Sequence, residues 1–180
     1  MRVIAGKYRS IQLKAPKGTE TRPTQDRIKE TLFNIIQKAV PEAVFVDLYS
    51  GSGGIGIEAL SRGALKVYFI DNATDAVNCI NENLCKIHTD KAVVIKADVL
   101  SALSRINEKE VDIIFIDPPY NNENESVLFD FFKGLKYITE NTIIILEAKI
   151  GRTFDFTGFE VIRVKEYKTN QHVFFRRIYE

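Results

Sequence analysis

From Val44 onward, short apolar segments alternate with amphipathic segments, and this alternation limits the possible folds more than any other feature of the chain. The apolar segments have the length and the β-branched content of buried strands; they cover residues 44–48, 66–70, 92–97, 111–116 and 142–147. The intervening segments show helical spacing at residues 55–62, 73–87, 99–106 and 126–137. Strands and helices in this order predict an α/β fold, with a mostly parallel sheet and helices on both faces.

Both ends of the chain depart from this alternation. Residues 160–168 and 171–178 are two strand-like segments with a short polar break, which predicts an antiparallel hairpin that closes the sheet. Residues 2–13 suit a smaller hairpin with basic residues at its turn, and a helix capped by Thr24 follows. With 180 residues, 45% of them apolar, we expect one domain, with a basic extension (1–40) and an α/β core (41–180).

Charge is distributed unevenly along the chain. The first forty residues contain nine basic and three acidic residues, a net charge of +6, whereas the whole chain has +1 and the remainder therefore has −5. The polar face of the predicted N-terminal helix contributes Arg22, Arg27 and Lys29. Such asymmetry favours a basic attachment surface for a polyanion, although a solvated face without a partner would show the same pattern.

Other sequence features exclude several classes of protein. The two cysteines, Cys79 and Cys85, have no histidine placed to form a metal site with them, and we expect packing roles in a reducing compartment and no bound metal. No window is apolar enough for a membrane helix, and the N-terminus lacks the apolar stretch of a signal peptide. These observations predict a cytoplasmic protein that does not contact membranes.

The first strand runs directly into a glycine-rich turn. Gly51, Gly53 and Gly56 form a G-x-G-x-x-G pattern between that strand and a helix, and Asp71 follows Gly51 by twenty residues at the end of the second strand. Glycines here let the backbone approach a ligand, and a carboxylate at the second strand can bind both ribose hydroxyls. The pattern predicts a nucleoside site, and both dinucleotide oxidoreductases and S-adenosylmethionine enzymes share this layout.

Two observations favour S-adenosylmethionine. Asp47 lies just before the glycines, where its charge would oppose a pyrophosphate but could bind the positive amino-acid end of S-adenosylmethionine. A proton donor for hydride transfer is also missing, because His88 and His172 look like surface or packing residues. Asp98, after the third strand, could accept the adenine amino group, or it could simply cap the next helix. Glu147, at the end of the fifth strand, is weaker support for a site.

The fourth strand ends in Asp117-Pro118-Pro119-Tyr120. Two prolines stop both strand and helix, so the loop begins rigidly at the carboxyl edge of the sheet, where α/β sheets bind ligands. The Asp117 carboxylate and the next carbonyl can accept both protons of an exocyclic base amine, and Tyr120 offers a face on which the base can stack. The loop therefore predicts a site for a planar amino group.

These motifs together resemble those of class I S-adenosylmethionine-dependent methyltransferases that modify exocyclic amines. Further segments resemble the RsmD type of that class, bacterial guanine-N2 methyltransferases of small-subunit ribosomal RNA; they are residues 2–9 (RVIAGKYR), 22–34 (RPTQDRIKETLFN) and 58–64 (EALSRGA). The resemblance covers nearly the whole chain. It departs from the family pattern at Asp71, where glutamate is expected, and at residues 167–169, where a Tyr-Gly step is expected, which leaves the role of the terminal hairpin open.

The resemblance implies a Rossmann-like sheet, S-adenosylmethionine as cofactor, and methyl transfer to the N2 amine of a guanine in small-subunit (16S) ribosomal RNA within an assembled or assembling 30S particle. It implies no stable protein partner. The expected catalytic residues are Asp117, Pro118, Pro119 and Tyr120. The expected cofactor-binding residues are Asp47, Ser50, Gly51, Gly53, Asp71, Asn72, Asp98 and Val99. The expected RNA-binding residues are Lys7, Arg9, Arg22, Thr24 and Arg27, with Arg176 and Arg177 as further candidates.

Three alternatives stay open from the sequence. The same loop type also serves methyltransferases that act on DNA adenine or cytosine, or on a protein glutamine, although no separate target-recognition domain is present for DNA. The glycine-rich turn is compatible with a nucleotide-dependent oxidoreductase. The chain could also be a non-catalytic RNA-binding module on a methyltransferase fold, but the intact loop at residues 117–120 argues against a decayed site.

Overall fold

The structure is a computed structural model, and it describes residues 1–16, 23–119 and 124–179. Its helices are α1 (Pro23–Ile35), α2 (Gly54–Ser61), α3 (Thr74–Ile87), α4 (Val99–Leu103) and α5 (Glu125–Lys133). Its strands are β1 (Val44–Leu48), β2 (Lys66–Asp71), β3 (Ala92–Lys96), β4 (Ile113–Ile116), β5 (Ile143–Lys149), β6 (Phe159–Glu166) and β7 (Asn170–Arg177).

The seven strands of the described residues form one sheet in the order β3-β2-β1-β4-β5-β7-β6. Strands β1 to β5 are parallel to their neighbours among these five, whereas β7 is antiparallel to both β5 and β6. The predicted α/β class, the mostly parallel sheet and the antiparallel C-terminal hairpin are confirmed. The strand order reverses at β1, and this switch point opens a crevice at the carboxyl ends of β1 and β4.

The element boundaries differ from the predicted ones mainly at helix ends. Helix α5 ends at Lys133 rather than at residue 137, because Gly134 follows and its backbone N–H bonds to Phe131 in a turn. The N-terminal hairpin is reduced to a single antiparallel bridge between Arg2 and Gln12. In the part of the chain that the structure describes, no helix has both the length and the apolar content needed to cross a membrane.

Alternating side chains divide the core into two layers. Val46, Leu48 and their neighbours pack with α4 and α5 on one face of the sheet, whereas Phe45 and Phe69 pack with α1, α2 and α3 on the other. Because side chains alternate along a strand, Asp47 belongs to the same face as Phe45. We refer to this second face as the α1–α3 face; it is the face on which the polar residues of the sheet edge lie.

The buried Glu58 of α2 attaches the N-terminal segment to the core. Its carboxylate accepts hydrogen bonds from the backbone N–H groups of Ile4 (2.8 Å) and Ala5 (3.1 Å), and from Nε of Arg62 (2.8 Å). Nζ of Lys29 lies 3.6 Å from the same carboxylate and donates to the carbonyl of Arg2. The prediction that Lys29 lies on the outer basic face is therefore wrong, because its side chain is only 5% exposed and compensates the charge of Glu58.

Candidate active site

The glycine-rich turn after β1 has the left-handed backbone conformation that glycines adopt readily. Tyr49, Gly51 and Gly53 all have positive φ angles, of 58°, 55° and 75°. At Gly56, a Cβ atom would clash with the ring of Phe69 on β2, so glycine lets α2 pack directly against the sheet. The positive φ angles and the close packing of α2 are what the glycine pattern predicts for a turn at the carboxyl end of β1.

Asp71 and Ser50 hold the turn against β2. The Asp71 carboxylate accepts the N–H groups of Gly51 (3.0 Å) and Ala73 (2.9 Å). The hydroxyl of Ser50 donates to the carbonyl of Asp47 and accepts the N–H of Ile70, so it bridges β1 and β2 inside the protein. The sequence predicts a cofactor contact for Ser50, but its hydroxyl is already used inside the protein, whereas Asp71 keeps acceptor capacity on both oxygens.

Asp47 is buried beneath the turn, with 2% of its surface exposed. Its Oδ2 accepts the N–H of Gly56 at 3.0 Å. Burial raises the pKa of Asp47 well above its ordinary value, and the carboxylates of Asp117 and Asp71 raise it further, against the opposing effect of the Gly56 N–H. A cation bound nearby would favour the charged form of this carboxyl group.

The other predicted cofactor residues lie along the next strand ends. Asp98 is exposed and caps α4, because its Oδ1 accepts the N–H of Ser101 at 3.0 Å. The helix-cap interpretation of Asp98 is therefore correct, and its second oxygen is left for another donor. Val99 is half-buried against the core, and Asn72 is exposed at the end of β2.

The loop after β4 begins as the sequence predicts. Asp117 follows Ile116 directly, and its N–H points to the carbonyl of Leu48 at 3.5 Å, so the loop leaves the sheet beside the glycine-rich turn. Pro118 is half-buried and Pro119 is exposed. Tyr120, the fourth residue of the predicted catalytic set, lies outside the described residues.

Strand alternation brings four carboxylates to one edge of the sheet. Asp71, Asp47, Asp117 and Glu147 belong to the neighbouring strand ends of β2, β1, β4 and β5, and all four lie on the α1–α3 face. Asp47 is set two residues deeper than the others. In the described residues, no salt bridge includes Asp47, Asp71 or Asp117. This edge, which we call the carboxylate row, therefore favours cationic ligands and hydrogen-bond donors over anionic ones.

Asp117 and Glu147 interact electrostatically across neighbouring strand ends of the row. They are the next residues after the register pair Ile116 and Leu146. Water reaches the Asp117 side chain, but the surrounding strand ends desolvate it and, with the Glu147 charge, raise the pKa of Asp117 to about 8. The protonated form of this carboxyl group therefore persists to a higher pH than that of a solvated aspartic acid.

The C-terminal hairpin supports Glu147 with polar side chains that sequence analysis missed. Nδ2 of Asn170 donates to Glu147 Oε1 (2.6 Å), and His172 Nε2 lies 3.2 Å from Oε2. The other ring nitrogen of His172 lies 3.0 Å from the hydroxyl of Tyr167. His172 is 1% exposed, so it is interior as one prediction allowed, but it is hydrogen-bonded to the site. Only the pairing of β7 with β5 could have indicated these contacts.

The predicted RNA-binding residues are only partly gathered together. Arg9 and Arg27 line a surface cavity of about 400 Å³ between the N-terminal segment and α1, together with Arg2, Asp26 and Glu30. Lys7 is exposed at the turn of the segment, where its Nζ lies 5.2 Å from the ring centre of Tyr8. Arg22 lies outside the described residues, as does the side chain of Thr24. Three arginines and two acidic residues line this cavity, and Arg2 pairs with Asp26 at 3.6 Å, so Arg9 and Arg27 supply its excess positive charge over Glu30.

Metal ligands do not cluster within the described ranges: none of them contains three His, Cys, Asp or Glu side chains placed to hold an ion. The cysteines are unpaired, with Cys79 buried and Cys85 exposed. The packing role predicted for both residues therefore applies to Cys79 alone.

Comparison with known proteins gives a consistent result. Residues 1–176 match the sequence model of the family described as Conserved hypothetical protein 95. The ribosomal RNA small subunit methyltransferase D of Haemophilus influenzae is 32% identical over 83% of this chain and 79% of its own length. The protein of the same name from Escherichia coli is 28% identical over 83% and 75%. The solved structure of yhhF from Escherichia coli is similar with a TM-score of 0.83 at 26% identity, covering 98% of this chain and 97% of that chain.

Proposed function

Because the chain belongs to the RsmD family, we propose that it transfers a methyl group from S-adenosylmethionine to the exocyclic N2 amine of a guanine in small-subunit ribosomal RNA. At the coarser level the chain is a ribosomal RNA methyltransferase, like the relatives that it matches. The observation that carries the finer proposal is the adjacency of two loops. The glycine-rich turn after β1 and the Asp117-Pro118 loop after β4 leave the sheet side by side at its switch point.

The residues at β1 and β2 fit the cofactor. Asp71 would accept the ribose hydroxyls, Asp47 would face the positive amino-acid end, and the backbone at Gly51 and Gly53 would allow close approach. Asp98 would accept the adenine amine beside Val99. Bound S-adenosylmethionine supplies a methyl group on a positively charged sulfur. The carboxylate row favours such a cation and opposes the pyrophosphate of a dinucleotide, so the oxidoreductase alternative is less compatible with this site.

Asp117 and Pro118 would orient the acceptor amine. The amine of guanine is a poor nucleophile because its lone pair is delocalised into the ring. Hydrogen bonds from its two N–H groups to the Asp117 carboxylate and the Pro118 carbonyl favour a pyramidal nitrogen with its lone pair directed at the methyl group. As the nitrogen–carbon bond forms and the sulfur–carbon bond breaks, the nitrogen gives up one proton, to Asp117 or to water. We expect Tyr120 to stack on the extruded base.

The basic N-terminal segment is our candidate for RNA attachment. Arg9 and Arg27 line one cavity, and Lys7 is exposed at the turn of the same segment, so phosphates could bridge the segment and α1. With this small basic surface, we propose that the enzyme reads a folded RNA, in an assembled or assembling 30S particle, rather than a long sequence. We further propose that residues 1–40 serve as the RNA-binding extension of the catalytic core.

Methyl transfer from labelled S-adenosylmethionine tests the proposal. The substrates are unmodified small ribosomal subunits, naked small-subunit ribosomal RNA and DNA, and the products are identified by nucleoside analysis. We expect N2-methylguanosine on the ribosomal substrates and its loss in Asp117→Ala. Label in methyladenosine, in DNA alone or in a protein glutamine would refute the guanine assignment. Binding of NADH without affinity for S-adenosylmethionine would refute methyl transfer altogether.

A further inference from the structure

Glu147 is the one carboxylate of the row to which the proposed reaction gives no role. It lies on β5, on the side of β4 away from the glycine-rich turn, and therefore on the acceptor side of the crevice. It is the cross-strand neighbour of Asp117, and its charge helps raise the pKa of Asp117. A base whose amine is held by Asp117 would present its adjoining ring edge to Glu147.

The terminal hairpin holds Glu147 as a hydrogen-bond acceptor. Nδ2 of Asn170 donates to Oε1 at 2.6 Å, and Nε2 of His172 lies 3.2 Å from Oε2, where an ionised carboxylate can only accept. The ionised carboxylate thus requires a proton on Nε2, and in the neutral ring Nδ1 then accepts a hydrogen bond from the Tyr167 hydroxyl at 3.0 Å. Each oxygen of Glu147 has a second lone pair, and the side chain is 21% exposed, so the carboxylate can accept a further proton donor.

Asn170 is buried beside Glu147, and among the described residues only the Nδ2 atom of its side-chain amide has a partner. Its relative exposure is 6%, and none of the described residues donates a hydrogen bond to its Oδ1. Its amide orientation is set by the contact of Nδ2 with Glu147. A buried acceptor without a donor is costly. The Glu147 contact therefore outweighs the cost of leaving Oδ1 unpaired, and the acceptor side of the crevice combines the carboxylates of Asp117 and Glu147.

Among the candidate amines, only guanine supplies a donor next to the reacting group. In guanine, the ring nitrogen N1 beside the N2 amine bears a proton. In adenine and cytosine, the ring nitrogen beside the amine bears a lone pair, and in a glutamine side chain the neighbouring atom is a carbonyl oxygen. A second carboxylate beside the first would attract the guanine edge and repel the other three.

We propose that Glu147, held by Asn170 and His172, accepts the N1–H of the target guanine and thereby selects guanine over adenine, cytosine and glutamine. This inference depends on the proposed function, since it assigns the substrate choice of the same site. It gives the C-terminal hairpin a role in specificity, because β7 provides both side chains that fix the Glu147 carboxylate.

An RNA with one changed base tests this inference. The target position is first mapped with the wild-type protein, and ligated RNAs are then made with guanine or 2-aminopurine at that position. 2-Aminopurine keeps the reacting amine but has a lone pair at N1. For one hydrogen bond to a charged group, we expect the wild type to prefer guanine in kcat/KM by about 10-fold to 150-fold. In Glu147→Gln, whose amide can donate to N1, we expect the preference to fall to within about fivefold.

Glu140→Gln is the matched control, because Glu140 is exposed and precedes β5 at the opposite end of that strand. Equal use of both bases by the wild type, or an unchanged preference in a folded Glu147→Gln, would overturn the inference and leave guanine methylation intact. The unfolding midpoint and cofactor binding show whether Glu147→Gln is folded. If it is not, the ratio of the wild-type kcat/KM values for guanine and 2-aminopurine alone decides. Methyl transfer to a base other than guanine would instead overturn the proposed function.

Discussion

Replacing Glu58 should release the N-terminal segment and strongly destabilise the protein. The Glu58 side chain is fully buried, and its carboxylate accepts two backbone N–H groups and compensates Lys29, whose side chain is 5% exposed. In Glu58→Gln the charge of Lys29 loses its partner, although burial already lowers the pKa of Lys29. Breaking one half of a buried ion pair costs about 3–5 kcal/mol. With an m-value of about 2 kcal/mol/M, the urea midpoint should fall by about 2 M.

The assay is equilibrium unfolding in urea, followed by circular dichroism. The matched control is Glu82→Gln, which breaks the exposed pair with Lys14 and should leave the midpoint unchanged. The double variant Lys29→Met/Glu58→Gln removes the more deeply buried of the two cations that Glu58 compensates, while Arg62, 16% exposed, keeps its charge, and it should recover about 1–3 kcal/mol of the stability. Trypsin should also cleave Glu58→Gln faster after Arg9, because the segment is released. A midpoint shift no larger than that of Glu82→Gln would refute the anchoring role of Glu58.

Three further predictions concern the crevice and the basic cavity. Gly56→Ala places a Cβ atom against the ring of Phe69. Overpacking of this kind should lower the free energy of unfolding in urea by about 1–3 kcal/mol and weaken cofactor binding. An unchanged urea midpoint would contradict the close contact between Gly56 and Phe69. If the charged form of Asp117 orients the amine, activity is lost as the pH falls through its pKa of about 8. We therefore expect log kcat/KM to decrease with falling pH below about 8. A flat profile from pH 6 to 9 would argue against this role. Replacing Arg9 and Arg27 with alanine should weaken RNA binding. The slope of log K against log salt concentration should become less steep by about 0.7 to 0.9 for each phosphate that the variant no longer neutralises. An unchanged slope would exclude phosphate binding by these arginines.

The sheet and the cofactor side of the crevice are predictable from the sequence for a physical reason. The sequence predicts β1 with the same bounds that the structure shows, because apolar runs and glycines act locally. The predicted positions of Asp71 and Asp117 at strand ends also depend only on where each apolar run stops. These features depend only on residues close together in the sequence, so they can be predicted without knowing which strands are neighbours.

Contacts between distant segments are not predictable in the same way. Glu58 occurs in a largely apolar helix, and nothing local indicates that it would bind the backbone of residues 4 and 5. The prediction for Lys29 fails because helical spacing gives the exposed side of a helix only when the packing partner is known. The contacts of His172 and Asn170 depend on the antiparallel register of β7 with β5, in which a shift of one residue would place these side chains on the opposite face.

The carboxylate row also couples the two ligands of the proposed reaction. The charge of Asp117 helps raise the pKa of Asp47, and the pKa of Asp117 is itself raised, so both carboxyl groups keep their protons to higher pH than usual and a bound cation would oppose this. A cofactor with a positive amino-acid end would lower the pKa of Asp47 and, by compensating negative charge, favour the carboxylate of Asp117 that orients the amine. Cofactor binding should therefore release protons near neutral pH, which calorimetry in buffers of different ionisation enthalpy measures directly. Since such coupling is reciprocal, RNA should bind more tightly to the protein with its cofactor than without it. Equal RNA affinities, together with no proton release on cofactor binding, would show that the carboxylate row does not couple the two ligands.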